Sequence, residues 1–217
     1  MGRPAWFLPG ILGIMLFGPC AVLAAPNGAS IAAQGSGSAP PCAVCHGAHG
    51  EGNAAIGAPR LAGVGAAYLQ EQLRDFADGT RASPIMAPVA KALDSAQDEA
   101  VAAYYAGLPA PAIAAAGGAP SPGKLLAERG RWSDGLPACS QCHGPEGMGV
   151  GAAFPPLAGL PAAYVAAQLQ AWQQGHRGPG PLGLMAAVAK KMSKADIEDA
   201  AAYFASIGRA STPEAGK

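Results

Sequence analysis

The sequence predicts an all-α protein made of two tandem helical domains of similar plan. Apolar residues recur at helical spacing, and no run alternates as a half-buried strand would. The second half of the chain repeats the first. Each half carries one Cys-x-x-Cys-His pentapeptide, Cys42-Ala43-Val44-Cys45-His46 and Cys139-Ser140-Gln141-Cys142-His143.

That pentapeptide is the attachment signature of c-type haem. Two thiols three positions apart can reach the two vinyl groups of one porphyrin and form thioethers. The next residue offers an imidazole to the iron. Two such motifs use four of the five cysteines, so two covalently bound haem c groups are expected. They also answer a packing problem. Alanine and glycine abound and aromatics are few, so a haem in each half supplies the large apolar body around which short helices close.

Residues 1–24 read as a secretory signal peptide. Arg3 is the only charge before an apolar stretch from Trp6 to Leu23. Small residues follow at Val22-Leu23-Ala24-Ala25, and Pro26 favours the cut after Ala24. The stretch borders on the length of a membrane span, about 18 residues, but Pro9, Pro19 and several glycines speak against a retained anchor. Cys20 leaves with the signal, and no cysteine remains for a disulfide. Covalent haem attachment in bacteria happens outside the cytoplasm, so the expected compartment is the periplasm. Of 14 basic and 14 acidic residues, loss of Arg3 leaves 13 against 14. No polybasic run points to nucleic acid or anionic lipid.

The first domain, 25–108, opens with a short helix from Gly28 to Gly35. After the haem motif, Tyr68, Leu69, Gln72, Leu73 and Phe76 mark a longer helix, and Asp94-Ser95 cap the last one. A Pro/Ala/Gly linker spans 109–122. The second domain, 123–210, repeats the plan, with a helix from Gly123 to Gly130 and another carrying Tyr164, Val165, Gln168, Leu169 and Trp172. Its last helix is capped by Ser193, with Asp196 placed for a capping box. A tail, 211–217, follows. The two motifs begin 97 positions apart and the matching Met86 and Met185 lie 99 apart. A short insertion therefore falls near Gly178-Pro179-Gly180-Pro181.

A haem iron with one protein ligand binds small molecules, whereas one with two mostly transfers electrons, and a Met/His pair raises its potential. Met86 lies 40 residues after His46, and Met185 lies 42 after His143, each in a shared Met-Ala-x-Val-Ala-Lys segment. Met148 is too close to His143 to cross to the other haem face. Met192 aligns with Leu93 and reads as packing. His49 and His176 read as surface residues. The expected set is therefore Cys42, Cys45, Cys139 and Cys142 for attachment, with His46, Met86, His143 and Met185 on the irons. A dihaem peroxidase needs an open iron position and distal acid or base groups, and none stands out. The His directly after each Cys pair, and the lack of a βαβ pattern, argue against zinc or thioredoxin-like uses.

The two Cys-x-x-Cys-His-Gly sites, the Leu-Ala-Gly-x-x-Ala-Ala-Tyr and Met-x-x-Val-Ala-Lys segments, and the Asp196-Ile197 to Ala202-Tyr203-Phe204 helix resemble class I cytochromes c, and more closely the dihaem cytochrome c4 family. The likeness runs from about Gly28 to Ile207. Two features depart from it: the first helix is rich in Gly, Ala and Ser, and His49 replaces the usual acidic residue. The resemblance implies two haem domains related by a pseudo-twofold, each with a haem edge toward the other. Tyr68, Gln72, Tyr164 and Gln168 then lie near the haem or the domain interface, or simply in helix packing. It further implies a periplasmic carrier of single electrons between a respiratory donor and a terminal acceptor such as an oxidase, not an enzyme in itself. Similar dihaem chains also serve as the cytochrome subunit of a flavin or other dehydrogenase. The expected partners are redox proteins, with no nucleic acid and no membrane contact except through partners or an uncleaved signal segment.

Overall fold

The computed structural model describes Gly2, residues 25–110 and residues 121–208. The expectations for the rest of the signal segment, the middle of the linker and the C-terminal tail lie outside the described residues.

In the first domain, helix α1 (Gly28–Gln34) is capped by Asn27, whose side chain accepts from Ala29 N and Ser30 N at 3.0 and 3.2 Å. Such a cap satisfies N–H groups that have no partner within the helix. One turn, α2 (Ala43–His46), carries the haem motif. Helices α3 (Ala66–Asp78), α4 (Met86–Lys91) and α5 (Ser95–Gly107) follow. Asp94 caps α5 as expected and forms a full capping box with Gln97. The second domain repeats this order. Helix α6 (Pro122–Arg129) has Pro at its first position and Ser121 as cap. Helices α7 (Ser140–His143), α8 (Ala162–Gln174), α9 (Leu184–Lys190) and α10 (Lys194–Ser206) complete it, with Ser193 and Asp196 boxing α10. Short 3₁₀ turns occur at Trp132–Asp134, Pro145–Gly147 and Pro181–Gly183, the last starting where the segment of the expected insertion ends. Among the described residues only isolated β-bridges interrupt the helical pattern. No described helix is long and apolar enough to cross a membrane.

Each domain closes by crossing its first helix over its last. Helix α1 packs on α5, and α6 packs on α10. At the crossings sit Gly28 and Gly123, where any Cβ would collide with the carbonyl oxygens of Ala100 and Asp199. The glycine that weakens α1 as an isolated helix is thus what lets α5 approach. Ile31, Val64, Leu69, Val101 and Tyr105 form the first core. Leu126, Leu136, Leu160, Val165, Leu169, Met192 and Ile197 form the second. Arg131, just past α6, grips Asp196 of α10 through a pair of bonds at 2.8 and 2.9 Å.

The domains meet through α3, α8 and the segments that follow them. Ala82 N donates to His176 O at 2.8 Å, and Gly178 N to Thr80 O at 2.6 Å. These bonds flank an antiparallel bridge between Arg81 and Arg177.

Candidate functional site

Helices α2 and α7 are single turns closed by His46 N donating to Cys42 O and His143 N to Cys139 O, both at 2.9 Å. A turn of helix brings side chains three apart onto one face, so each thiol pair is presented together. All four cysteines are free and half-buried. Desolvation pushes the Cys42 thiol up and the Cys139 thiol up to about 11. For Cys42 and Cys139 that direction is opposite to the lowered value a redox-active Cys-x-x-Cys pair needs. Among the described residues, no three His, Cys, Asp or Glu side chains converge as a metal cluster.

The two imidazoles are buried and held alike. His46 Nδ1 lies 2.8 Å from Pro59 O, and His143 Nδ1 lies 2.8 Å from Pro155 O. A carbonyl can only accept, so Nδ1 carries the hydrogen and Nε2 keeps its lone pair for a metal. Burial lowers both histidine pKa values and keeps the rings neutral. A backbone carbonyl behind a ligating histidine fixes the ring and raises its basicity. The loops that aim these carbonyls are themselves pinned. Gly50 O accepts from Leu61 N and Ala62 N at 2.8 and 3.0 Å, and Gly147 O accepts from Leu157 N and Ala158 N at 2.8 and 3.1 Å.

Cys42, Cys45, His46 and Met86 line one cavity of about 430 Å³, within the usual range for a cofactor site, roughly 300–1,000 Å³. Exposed Ile56 and Ile85 form part of its wall. The cavity runs on into the second domain, reaching Pro155, Leu160, Tyr164 and Gln168. A thiol pair, a neutral imidazole with a free Nε2, a thioether and apolar walls are the donor set that haem c requires, so the residues fit the group. In the second domain, Cys139 packs against the cluster of Ala127, Tyr203 and Phe204. Phe154 stands edge-on to His143 with ring centroids 6.2 Å apart. Met185 lies in the first turn of α9, as Met86 does in α4, and packs on the second core. Met192 is buried core, and Met148, His49 and His176 are exposed.

Tyr68, Gln72, Tyr164 and Gln168 lie both on the cavity wall and at the domain interface, where they receive two buried arginines in a near-symmetric network. Arg81 donates to Gln72 Oε1 at 2.7 Å, Gln168 Oε1 at 2.6 Å and Tyr164 OH at 2.9 Å. Arg177 donates to Gln168 Oε1 at 2.9 Å, Gln72 Oε1 at 2.7 Å and Tyr68 OH at 3.0 Å. Each guanidinium also covers an aromatic face of its own domain. Arg81 sits 4.4 Å from the centre of Phe76, and Arg177 sits 3.9 Å from that of Trp172. Desolvation, then repulsion from Arg81, lowers the pKa of Arg177. A third buried arginine, Arg60, also lines the cavity. Sequence reasoning missed all three arginines and the two proline carbonyls. The signal for Arg81 and Arg177 was their equal offset, two residues past the matched Gly79 and Gly175.

The family model for cytochrome c matches residues 28–108 and again 122–208. A thiosulfate dehydrogenase electron acceptor from Stutzerimonas stutzeri (strain A1501) is 46% identical over 212 residues, covering 95% of this chain and 97% of that one. A solved thiosulfate dehydrogenase of Marichromatium purpuratum, in its as-isolated form, matches 83% of this chain at 47% identity and a TM-score of 0.75, over 39% of its own length. Reduced recombinant cytochrome c4 from Pseudomonas stutzeri matches 76% of this chain and 93% of its own at 34% identity, with a TM-score of 0.68.

Proposed function

Because the chain belongs to the cytochrome c family, as two tandem class I domains on the cytochrome c4 plan, we propose that it is the periplasmic electron acceptor of a thiosulfate dehydrogenase and relays single electrons to a terminal acceptor. The chain carries two covalently bound haem c groups and transfers electrons without being a catalyst in its own right. The observation that carries the choice of donor is the near full-length likeness to a thiosulfate dehydrogenase electron acceptor.

In this reading Cys42 and Cys45 hold one porphyrin within 25–108, and Cys139 and Cys142 hold the other within 123–210. His46 and His143 would meet the irons through Nε2, with Pro59 and Pro155 fixing the rings. Met86 and Met185 would supply each iron with a second protein ligand. When bound, each haem supplies a one-electron ferric/ferrous couple. The protein's part is to exclude water, to leave no open ligand position, and to set the potential through its ligands. Exposed Ile56 and Ile85 give a partner an apolar surface beside the first cavity. Residues 1–24 direct export and are removed.

The test uses ferric holoprotein, a catalytic amount of a thiosulfate dehydrogenase and excess thiosulfate. The bands of ferrous haem c are expected to grow at the pace of enzyme turnover. Protein that stays ferric under these conditions, yet is reduced by dithionite, refutes the donor. The likeness to cytochrome c4 favours a second reading, a general respiratory carrier, which the same outcome would support.

A further inference from the structure

Three guanidinium groups are buried where the domains meet, and among the described residues none of them pairs with a carboxylate. Arg81 and Arg177 are equivalent residues of the two repeats. Arg60 has no such twin. The residue before it holds His46 through its carbonyl, as Pro155 holds His143, and the two residues after it bond Gly50 as Leu157 and Ala158 bond Gly147. Its counterpart is therefore Pro156.

Arg60 is only 6% exposed. Its Nη1 donates to Ala62 O at 3.0 Å, and its Nη2 reaches Ala158 O of the other domain at 3.4 Å. Two neutral carbonyls are a thin supply for five N–H donors and a full charge. A buried cation without a counter-charge is costly, so a residue held this way in the wall of a cofactor cavity calls for a role beyond packing. The cavity that Arg60 lines is the one shared by Cys42, Cys45, His46 and Met86.

We propose that Arg60 sets the potential of the first haem and makes the two haems inequivalent. This rests on the reading that each domain binds one haem. Reduction adds one electron and no atom, so ferrous haem carries one positive charge fewer than ferric haem. A fixed cation in the cavity wall favours the less positive state and raises the potential. A porphyrin carboxylate that meets Arg60 is neutralised by it, which acts in the same direction. In the second domain Pro156 brings no charge. Arg60 is thus a positioning residue for charge: its hydrogen bonds go to main-chain oxygens and not to a proposed ligand side chain, and it works through the field it places on the cavity.

Optical redox titration of the holoprotein tests this. Met185→His, which exchanges thioether for imidazole, marks the wave of the second domain. Arg60→Gln keeps an amide donor for the carbonyls and removes the charge. It is expected to lower the ferrous-to-ferric ratio of the first haem about tenfold at a fixed poise, which for one electron is about 59 mV, and to move the other wave much less. Arg60→Lys keeps the charge and should stay near the parent protein. Pro156→Arg should raise the second wave. An unmoved first wave in Arg60→Gln, equal shifts of both waves, or an Arg60→Lys that falls as far as Arg60→Gln overturns the proposal. Should Arg60→Gln yield no holoprotein, Pro156→Arg decides: a raised second wave supports the proposal and an unmoved one overturns it. A Met185→His that moves neither wave would fault the methionine ligand instead. Arg60 would then be judged by whether Arg60→Gln lowers one wave alone and Arg60→Lys does not.

Discussion

Arg177→Met is the most direct probe of what joins the two haem domains. The substitution keeps an apolar stem over Trp172 and deletes the fork. Three hydrogen bonds go, to Gln168 Oε1, Tyr68 OH and Gln72 Oε1. Bonds to a charged group contribute about 1.5–3 kcal/mol each, so an upper limit is about 5–9 kcal/mol. The net loss must be smaller. Gln72 and Gln168 keep Arg81 as a donor at 2.7 and 2.6 Å, so only the Tyr68 hydroxyl loses its partner. Removing one of two adjacent buried cations also relieves the repulsion that helps depress Arg177 and removes the cost of its desolvation. A net destabilisation of about 3 kcal/mol is expected, which for a chain of this size lowers Tm by about 6–12 °C. Arg177→Lys should fall between, because an ammonium cannot bridge the two glutamines as a planar fork does. Differential scanning calorimetry of the holoprotein reads both. An unchanged midpoint in Arg177→Met, or a lysine variant as weak as the methionine one, would refute the network as the source of domain coupling.

Met86→Ala and Met185→Ala should each remove half of the long-wavelength absorption that marks methionine sulfur on ferric haem, and the double variant all of it. An unchanged ferric spectrum in either single variant excludes that methionine as a ligand. Asp196 is held well below the usual carboxylate range, first by Arg131 and then by Ser193. A depressed carboxylate adds stability above its unfolded pKa of about 3.9, and that stability fades as pH falls toward the folded value. Asp196→Asn has lost the contribution already at pH 7. Its Tm should therefore lie below that of the parent at neutral pH and converge with it in acid. Parallel Tm curves down to acid pH would refute this role of the Arg131–Asp196 pair.

The long helices could be read from sequence because their signals are local. Tyr68, Leu69, Gln72, Leu73 and Phe76 recur at helical spacing, and α3 runs from Ala66 to Asp78 around them. Asp94 and Ser193 have the chemistry of caps and act as caps. The haem motifs are equally local, since thiols and imidazole must follow one another within a turn. What escaped was tertiary. Pro59 and Pro155 act through main-chain oxygens, which no side-chain pattern announces. An arginine in a sequence reads as a solvated charge. Nothing near Arg81 or Arg177 shows that another domain will cover it, and Asp78, the acidic residue nearest Arg81 in sequence, accepts from Thr80 instead. The poor helix-forming composition of Gly28–Gln34 reads as a departure from the pattern only until α5 is seen to pass over Gly28.

The repeats also separate what each haem site needs from what drift can change. The stretch from His46 to Pro59 is one residue longer than that from His143 to Pro155, yet both imidazoles meet their carbonyl at 2.8 Å. The registers agree at the start, where Gly52 N and Gly149 N bond the histidine carbonyls at 2.7 and 2.6 Å. They agree again at the end, where Gly50 O and Gly147 O each hold two N–H groups. The extra residue is confined between these anchors, in the turn that bridges Asn53 to Ala58 where the second domain bridges Val150 to Phe154. A turn closed by its own bridge absorbs an insertion without moving its ends, as surface loops generally do. The position of one backbone oxygen is thus kept while the sequence leading to it varies. Arg60 and Pro156 lie directly past that oxygen, so they can differ in charge without disturbing the histidine between the two repeats.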